Sequence, residues 1–374
     1  GSKIDVGIIR CQEDGTPDSS FGINGLDTVE MDNLNISHGL VIQPDGKIIV
    51  AGQFASSTLI PNNSIIRVNN DGSLDPSFNP GGNGALFGHQ SDGVFSYVDK
   101  MILQPDGKII ITGNFGAYNG VARKSIARLN TDGTIDLGFN PGSGFSGSAE
   151  PVLKSLTLQP DGKLLVGGLF SIYNGNAKGS LVRINTDGSD DSTFVTGLGF
   201  RFSYFSPILI GSGDKVAIVN STVILSDGRI VVGGAFERYN GVNQNSITCL
   251  NQDGSIDTTF NSGIGLIKPD NNYESLKRVG VFDLNVLSNE KILISGRFAR
   301  YDNTLATNLA KVDSGGNLDL SFYSTTGFDE IVKCSAIQPD GKILVGGYFT
   351  KYNNTKKRGL VRLNTDGSID NSFA

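Results

Sequence analysis

The stretch Gln43-Pro44-Asp45-Gly46-Lys47-Ile48-Ile49-Val50-Ala51-Gly52 decides the fold of this chain, because versions of it return throughout the sequence. A Pro-Asp-Gly turn leads into a short aliphatic run that ends in small residues, which is typical of a tight turn followed by a buried β-strand. The turn recurs, with two degenerate copies, at Gln104–Lys108, Gln159–Lys163, Leu225–Arg229, Leu287–Lys291 and Gln338–Lys342. The six copies lie 51 to 66 residues apart, a spacing that indicates propeller blades.

A second motif, Asp-Gly-Ser/Thr-x-Asp-x-x-Phe, follows each turn at a fixed distance. From the fourth residue of the turn to the motif Phe the offset is 32 residues in all six copies, and a seventh motif ends at Phe21. Between them lie a large Phe that we expect in the core, a Tyr-Asn-Gly loop and a third strand. The Asp-Gly pair then supplies the positive φ of a tight hairpin leading to a fourth strand. The sequence therefore predicts an all-β propeller of six four-stranded blades, with a seven-bladed form or a partial extra blade as the alternative.

The predicted domain organisation is a single propeller over residues 1–374, closed by the N- and C-terminal strands. In this scheme Leu26–Met31 completes the last blade, which has no fourth strand of its own. Strand direction places the tight Asp-Gly turns on one face. The Tyr-Asn-Gly loops and the connectors between repeats are predicted on the opposite face.

The connectors are the variable part of the repeat. From each motif Phe to the next turn the offset is 25, 29, 23, 34, 30 and 19 residues. Recognition usually concentrates on variable loops carried by a rigid scaffold, so we predict that this face binds a glycan or a protein surface.

Several side chains in the variable stretches are not explained by the repeat. Aromatic rings and an arginine can stack on a sugar or a protein partner, although each ring has core packing as its alternative role. The predicted ligand-binding set is Phe200, Arg201, Phe202, Tyr204, Phe205, Tyr273, Phe87, His89 and Tyr97.

The repeated motif also raises a question about metal binding. Its carboxylates invite comparison with calcium loops, but the full set of alternating oxygen ligands is missing. In all but one copy a cation stands eleven residues before the motif Phe, as with Arg128 and Phe139. We therefore predict an Asp–Arg pair within each blade and no metal, with calcium as the alternative.

Composition and charge exclude several classes of partner. The formal net charge is −6 and the longest basic run is Lys356-Lys357-Arg358, so the clustered cations that neutralise nucleic-acid phosphates are missing. No apolar stretch approaches the roughly 20 residues that span a bilayer, which predicts no membrane insertion. Cys11, Cys249 and Cys334 are spaced for neither a zinc site nor a disulfide framework. We expect no cofactor and no nucleic-acid partner.

The same inventory predicts that the chain is not an enzyme. Only two histidines, His38 and His89, are available to activate a cysteine. A glycosidase needs a non-repeated pair of carboxylates in one pocket, and none is evident from the repeat. A passive structural spacer in a larger surface or phage-tail protein is the alternative function, followed by a glycan-cleaving enzyme.

The repeat units resemble the delta-60 repeat family. The resemblance rests on segments such as Ile126-Ala127-Arg128-Leu129-Asn130, Asp71-Gly72-Ser73-Leu74-Asp75, Phe21-Gly22 and the Gln-Pro-Asp-Gly-Lys turns, and it extends over essentially the whole chain. It implies a propeller-type fold of bacterial cell-surface or secreted proteins and of some phage virion proteins. It implies no reaction.

Overall fold

The computed structural model of the chain describes residues 4–22, 26–31, 36–53, 64–86, 96–147, 150–202, 216–267, 279–322 and 326–373. All regular elements within these ranges are β-strands. The N-terminal segment and the first repeat contain β1 (Ile4–Ile9), β2 (Leu26–Met31), β3 (Ile36–Ile42), β4 (Ile48–Gln53), β5 (Ile65–Val68) and β6 (Ala85–Leu86). The second repeat contains β7 (Tyr97–Leu103), β8 (Ile109–Asn114), β9 (Ala117–Tyr118), β10 (Val121–Ala122), β11 (Ile126–Leu129) and β12 (Phe145–Ser146).

The remaining four repeats follow the same order. The third contains β13 (Val152–Leu158), β14 (Leu164–Leu169), β15 (Ile172–Tyr173), β16 (Asn176–Ala177), β17 (Leu181–Ile184) and β18 (Phe200–Arg201). The fourth contains β19 (Ile218–Ile224), β20 (Ile230–Ala235), β21 (Arg238–Tyr239), β22 (Val242–Asn243), β23 (Ile247–Leu250) and β24 (Leu266–Ile267). The fifth contains β25 (Gly280–Val286), β26 (Ile292–Arg297), β27 (Arg300–Tyr301), β28 (Thr304–Leu305) and β29 (Leu309–Val312). The sixth contains β30 (Val332–Ile337), β31 (Ile343–Gly347), β32 (Lys351–Tyr352), β33 (Thr355–Lys356) and β34 (Leu360–Leu363).

Each repeat forms one antiparallel three-stranded sheet, whose strands we call a, b and c in chain order. In repeat 2 these are β7, β8 and β11, with strand b in the middle. The predicted fourth strand is reduced to a single bridge, such as Leu129 with Ile135. The residue after Ile135 is the motif Asp136, whose carboxylate accepts a hydrogen bond from Gly138 N at 2.8 Å. This contact creates a turn, and the turn ends the pairing of the fourth strand with strand c. The all-β propeller prediction is confirmed, with three full strands and one bridge per repeat.

The Tyr-Asn-Gly loop is not confined to the face opposite the Asp-Gly turns, where we expected it. It forms a short hairpin, β15–β16 in repeat 3, that is joined to β12 from the preceding connector. The buried Tyr173 hydroxyl donates to Gly188 O in the Asp-Gly turn of the same repeat, at 2.6 Å. Four other repeats make the same bond, from Tyr118, Tyr239, Tyr301 and Tyr352. This hydrogen bond therefore holds the hairpin against the Asp-Gly turn.

The core lies between neighbouring repeats. The side of repeat 2 that carries Ile110 and Ile126 packs against Leu164, Val166 and Phe170 of repeat 3. The large ring after strand b is buried in five repeats, as the sequence predicted, at Phe115, Phe170, Phe236, Phe298 and Phe349. Phe54, its counterpart in repeat 1, lies outside the described residues. Packing between repeats, rather than within one, is what holds each sheet in place.

The N-terminal strands differ from the predicted arrangement. Leu26–Met31 pairs with Ile4–Ile9 over its whole length and not with the strands of repeat 6. The expectation that this segment adds a strand to the last blade is therefore wrong. A hairpin between β1 and β2 is the shorter connection, because only the motif and its turn separate the two strands.

Candidate functional site

Strand a forms one edge of each sheet and pairs only with strand b. At the five junctions between successive repeats, strand a also lies against strand a of the next repeat. Strand a is therefore the strand nearest the propeller axis. The hydroxyl groups of Ser155 and Thr222 are 2.8 Å apart, and Ser335 N donates to the Asp283 carboxylate at 2.8 Å. The Lys100 ammonium in repeat 2 also acts electrostatically on the pKa of Asp283, which belongs to repeat 5. Strands from non-adjacent repeats therefore converge on one axial region.

A β-bulge interrupts strand a at the same place in all six repeats. The register shifts between Val98 and Lys100 in repeat 2, for example, and the residue between them is left out of the ladder. Such a bulge re-aims a side chain and is common beside functional sites. The six bulged residues each stand five positions before the turn and are His38, Asp99, Lys154, Asn220, Phe282 and Lys333. One fixed backbone geometry thus presents six side chains of varied chemistry to the axis.

Asp99 connects the bulges of three repeats. Its carboxylate, which is almost fully buried, lies 2.8 Å from Lys154 Nζ and 3.5 Å from His38 Nδ1. Burial lowers the pKa of His38, and the nearby Lys154 and Lys100 add to this effect against the opposing field of Asp99. The imidazole is therefore neutral at neutral pH, and Lys154 is the cation that balances Asp99.

A second group lies beside the bulges of repeats 5 and 6. Burial raises the pKa of Asp283, although its carboxylate accepts hydrogen bonds from Ser335 N and from Asn285 Nδ2, the latter at 3.0 Å. Burial, together with Asp283, also raises the pKa of the Cys334 thiol, which keeps it protonated at neutral pH. Lys333 Nζ stands 4.3 Å from the centroid of the Phe282 ring.

The axial cluster, defined by the six bulged residues with Lys100 and Asp283, has an excess of cations that face solvent. Lys100 and Lys333 are exposed, and in the described part of the chain neither ammonium has a carboxylate partner within salt-bridge distance. Lys154, in contrast, is engaged by Asp99. Two exposed ammonium groups, one of them over the Phe282 ring, can attract an anionic group attached to an apolar or sugar body.

The structure places the sequence-predicted ligand residues at different depths. Phe200 is fully buried, with its ring centroid 4.6 Å from that of Phe236 and 4.5 Å from that of Tyr239, so it belongs to the core and not to a ligand site. Arg201 and Phe202 are half-buried at the rim, and Arg201 Nε donates to Leu198 O at 2.9 Å. The members that fall outside the described residues are Tyr204, Phe205, Tyr273, Phe87 and His89.

Among the members of the predicted set that the structure describes, Tyr97 is the one that lies at the axial cluster. It begins strand a of repeat 2, is half-buried, and its ring centroid lies 5.5 Å from that of His38. Burial and the field of Asp99 raise the pKa of its hydroxyl. The remaining axial residues were missed by sequence reasoning. One signal in the sequence identifies them. They stand at a constant distance from the turn, and the residue type at that position changes from repeat to repeat.

The repeated Asp–Arg pair is present as predicted. In repeat 3, Arg183 Nε and Lys163 Nζ lie 2.6 Å and 2.8 Å from the same oxygen of Asp191. Thr193 N and its hydroxyl donate to the other oxygen, at 3.0 Å and 2.7 Å. The lysine partner, which is the last residue of each Gln-Pro-Asp-Gly-Lys turn, was not anticipated. It explains why that turn and the second motif keep a fixed separation.

Repeat 4 shows how the pair tolerates a substitution. Cys249 stands where the other repeats have a cation, and Arg229 replaces the lysine of the turn. Arg229 Nη1 donates to Asp257 at 2.8 Å and so supplies the missing guanidinium from the other strand. Burial raises the pKa of the Cys249 thiol to about 12, which suits a packing residue rather than a nucleophile.

These contacts lead to a prediction about metal dependence. Both oxygens of each motif carboxylate in this arrangement already accept hydrogen bonds from side chains and backbone, as at Asp191, so little capacity remains for a cation. Adding EDTA is expected to leave the melting temperature unchanged, because a metal stabilises a protein only by binding its native state. Differential scanning calorimetry with EDTA, and with calcium added back, measures this. A drop on chelation that calcium reverses would contradict it.

Comparison with sequence families identifies the repeat. A family described as a domain of unknown function (DUF5122) beta-propeller matches residues 43–78, 104–139, 159–194, 225–260, 287–322 and 338–373, which together make up more than half of the chain. The chain belongs to this β-propeller repeat family. Each matched segment runs from the turn to the motif Phe, so the axial bulges lie outside the family's shared block. A search of curated proteins finds no match.

Solved structures resemble this family member at low sequence identity. PorZ, a surface component of the type-IX secretion system of Porphyromonas gingivalis, has 9% identity and a TM-score of 0.51, and the match covers 86% of this chain and 40% of PorZ. The chain therefore spans less than half the length of that protein. Virginiamycin B lyase from Staphylococcus aureus has 15% identity and a TM-score of 0.42, with 89% of this chain and 83% of the lyase covered. A gluconolactonase from Xanthomonas campestris has 14% identity and a TM-score of 0.35, with 73% of each chain covered.

These neighbours correct one prediction. The exclusion of enzymes is contradicted, because the solved propellers that match this chain include a lyase and a gluconolactonase. A repeated propeller sequence is compatible with catalysis, since function resides in sites carried by a fold rather than in the fold itself. The low identities show only a shared fold and assign no reaction here. Within the described ranges, no helix is long and apolar enough to cross a membrane.

Proposed function

We propose that this chain is a binding module that recognises an anionic group on a glycan or protein surface through its axial cluster. The observation that carries the proposal is the set of six bulges, which hold side chains of varied chemistry at equivalent positions around one axis. A position with a purely structural role would be expected to hold the same residue type in every repeat. The residue type at this position differs from repeat to repeat instead, which is what we expect of a site adapted to one ligand.

The charge of the cluster defines the chemistry of the ligand. Lys100 and Lys333 are exposed and have ammonium groups available, while Asp99 is neutralised by Lys154. A carboxylate or sulfate group is attracted to such a pair of cations, and the Phe282 ring can pack against the body that bears it. We therefore favour an acidic glycan or an acidic protein surface over a neutral partner.

The position of the bulges agrees with the variable face predicted from the sequence. Each bulge is the third residue of strand a in repeats 1 to 5, as at Asp99, and so lies nearer the incoming connector than the Asp-Gly turn. The proposal therefore assigns the entrance of the site to the side from which the variable connectors lead into strand a. In this arrangement the axial cluster supplies charge, and the connectors supply selectivity.

The setting we propose is a bacterial cell surface, a secreted protein or a phage virion. The delta-60 resemblance of the repeat supports it, and the likeness to the PorZ fold is compatible with it. In any of these settings a binding propeller meets glycans and protein surfaces that carry carboxylate groups.

Removing the axial charges tests this function. A glycan array and a panel of acidic proteins are screened with the purified chain, and the variants Lys100→Met and Lys333→Met are then compared with the wild type. Each loss of a charge-assisted hydrogen bond is expected to weaken binding by about ten- to a hundredfold. Lys100→Arg is expected to keep most of the affinity, because it retains the charge.

The control for this experiment is Lys356→Met, since Lys356 is an exposed lysine in β33 of repeat 6 and is not part of the axial cluster. It should bind like the wild type, and the melting temperatures of all variants should be similar because exposed side chains contribute little to stability. Affinity should also fall as salt is added. A ligand that binds both axial variants with unchanged affinity would contradict the proposal.

A further inference from the structure

Repeat 5 contains a cavity at the outer edge of its sheet. It has a volume of about 170 Å³ and is lined by residues of β28 and β29 and of the second motif, between positions 318 and 322. The charged groups in its wall, Lys311 and Asp319, lie 3.2 Å apart and are paired with each other. A cavity of this size accommodates one aliphatic side chain. Its apolar walls include Leu305, Ala306, Leu309, Leu318, Leu320 and Phe322.

The residue at position 306 explains why this space is open. Ala306 N donates to Ala299 O, and the equivalent residue makes the same backbone hydrogen bond in repeats 2, 3, 4 and 6. Every other member of this set has a long polar side chain, and two of them, Arg123 and Lys178, are buried. Repeat 5 therefore has a methyl group where these repeats have a long chain. The equivalent residues are Arg123, Lys178, Gln244 and Lys357.

Repeat 3 shows what occupies the same space elsewhere. Lys178 Nζ lies 2.7 Å from Asp190 Oδ1, and both side chains are about one-tenth exposed. Asp190 is the counterpart of Leu318, because each makes the single bridge to strand c in its repeat. Repeat 5 thus has Ala306 and Leu318 in place of this ion pair. Neither side chain is long enough to span the gap, and the cavity lies between them.

The cavity also borders an unpaired part of strand c. Asn308 N donates to Phe298 O, towards strand b. Backbone groups of successive residues in an antiparallel strand point to alternate sides, so Leu309 N–H and C=O point away from strand b. Lys311 O, on the same side, accepts from Asp319 N at 2.7 Å, whereas Leu309 has no such partner among the described residues. Lysine often guards an unpaired sheet edge, and this is the residue that repeats 3 and 6 have at the position of the cavity.

The path of the chain after the second motif leads to the next repeat. In repeats 1 to 4 the residue after the motif Phe donates to the turn of the following repeat, as Asn261 N does to Gly315 O at 2.6 Å. After Phe322 the next described residue is Thr326, whose N–H donates to Asn353 Oδ1 of repeat 6 at 3.1 Å. Repeats 4 and 6 both pack against repeat 5, so the cavity does not reflect a missing repeat.

We propose that this cavity binds an extended segment of a partner protein, which places one aliphatic side chain in the cavity and pairs its main chain with Leu309. A main chain is favoured because Leu309 presents one donor and one acceptor on the same side, which the backbone of an extended segment matches. An aliphatic side chain is favoured over a cation because Leu318 replaces the carboxylate that Lys178 contacts in repeat 3. Leu305 and Leu320, which are 48% and 80% exposed, add apolar contact at the mouth.

A peptide library displayed on phage tests the proposal. Random peptides are selected on the wild-type chain after counter-selection on Ala306→Lys, which introduces the residue type of repeats 3 and 6 and fills the cavity. The selected peptides are expected to share an aliphatic residue flanked by β-branched residues. A synthetic copy of an enriched peptide is expected to bind Ala306→Lys about tenfold more weakly than the wild type, or weaker still, because its aliphatic side chain is no longer buried. Fluorescence anisotropy measures both affinities.

The matched control is Gln244→Lys, which introduces the same residue at the equivalent position of repeat 4 and should leave peptide binding unchanged. Leu320→Asp should weaken binding, whereas its counterpart Leu137→Asp in repeat 2 should not. If Ala306→Lys does not fold by circular dichroism, Ala306→Gln introduces the residue of repeat 4 instead. Lys100→Met should bind the peptide normally, because strand c and strand a form opposite edges of the sheet, so this site and the axial cluster are tested separately.

Any of four results would overturn the proposal. Selection may yield no peptide that prefers the wild type to Ala306→Lys, or the enriched peptides lack an aliphatic residue. Sedimentation may show a dimer of the wild-type chain that Ala306→Lys dissociates, in which case a second copy is the occupant. The last is that 1-hexanol binds with the same dependence on Ala306 while no peptide does, since a free aliphatic chain would then be the ligand.

Discussion

Replacing Phe170 with alanine is expected to lower the free energy of unfolding by roughly 3–5 kcal/mol, the usual cost of deleting a buried aromatic ring. Phe170 is almost fully buried between repeats 2 and 3, where its ring meets that of Phe145 edge-on at a centroid distance of 4.8 Å. Alanine removes this contact and leaves a cavity that neighbouring strands cannot close, because both are held in sheets. Urea denaturation followed by circular dichroism measures the change.

Two further variants make the Phe170 result specific. Phe170→Leu fills most of the space and should cost clearly less than Phe170→Ala. Leu137→Ala removes an apolar side chain that is exposed, and surface changes of this kind usually lie within about 0.5 kcal/mol of the wild type. If Phe170→Ala were no more destabilising than Leu137→Ala, the rings after strand b would not be the core that we describe.

Asp191→Ala is expected to destabilise the protein by a similar amount, about 3–5 kcal/mol, because it leaves buried cations without their partner. The Asp191 carboxylate is contacted by Lys163 and Arg183, and the Arg183 side chain is itself 9% exposed. Arg183 also donates to Gln252 O of the next repeat, so the loss extends to the junction between repeats 3 and 4. Glu150→Gln, at an exposed position, is the control and should be close to neutral. A destabilisation below about 1 kcal/mol would contradict the structural role of the pair.

The same carboxylate sets a direction for the pH dependence. Burial opposes ionisation of Asp191, but the hydrogen bonds from Lys163 and Thr193 prevail and hold its pKa well below the ordinary value. A lowered folded-state pKa stabilises the protein at pH values above the unfolded-state pKa, and this contribution is lost as the pH falls through the folded-state pKa. The stability gap between the wild type and Asp191→Asn should therefore be full at pH 7 and shrink in strong acid. A gap that widened with falling pH would contradict this assignment.

In the function we propose, the ligand site and the structural contacts occupy separate parts of the repeat. The block from turn to motif Phe contains the ion pairs and the buried rings, and it is the part that the family shares. Strand a and the connectors lie outside that block, and there the residue type changes from repeat to repeat. A ligand site built in this way can be altered without disturbing the pairs at Asp191 and its equivalents.

The sequence by itself determined the features that depend on neighbours in the chain. The turn at Gln43–Lys47 and its copies, the strands that follow, the buried Phe and the Asp–Arg pair were all predicted from spacing and residue type. Each is contained within a single repeat, so a local pattern contains the necessary information. The lysine partner of Asp191 was overlooked, although its constant offset of 28 residues is visible in the sequence.

The tertiary structure alone decided which side chains meet between repeats. Phe200 was predicted to contact a ligand and is instead enclosed by Phe236 and Tyr239 of the next repeat. In the axial cluster, Asp99 contacts both His38 and Lys154. Lys100 acts electrostatically on Asp283, although the two residues are far apart in the sequence. The angle between packed sheets sets these distances. Many side-chain contacts at each junction together determine that angle. Because no short segment contains that information, the axial cluster became apparent only when the repeats were arranged around their axis.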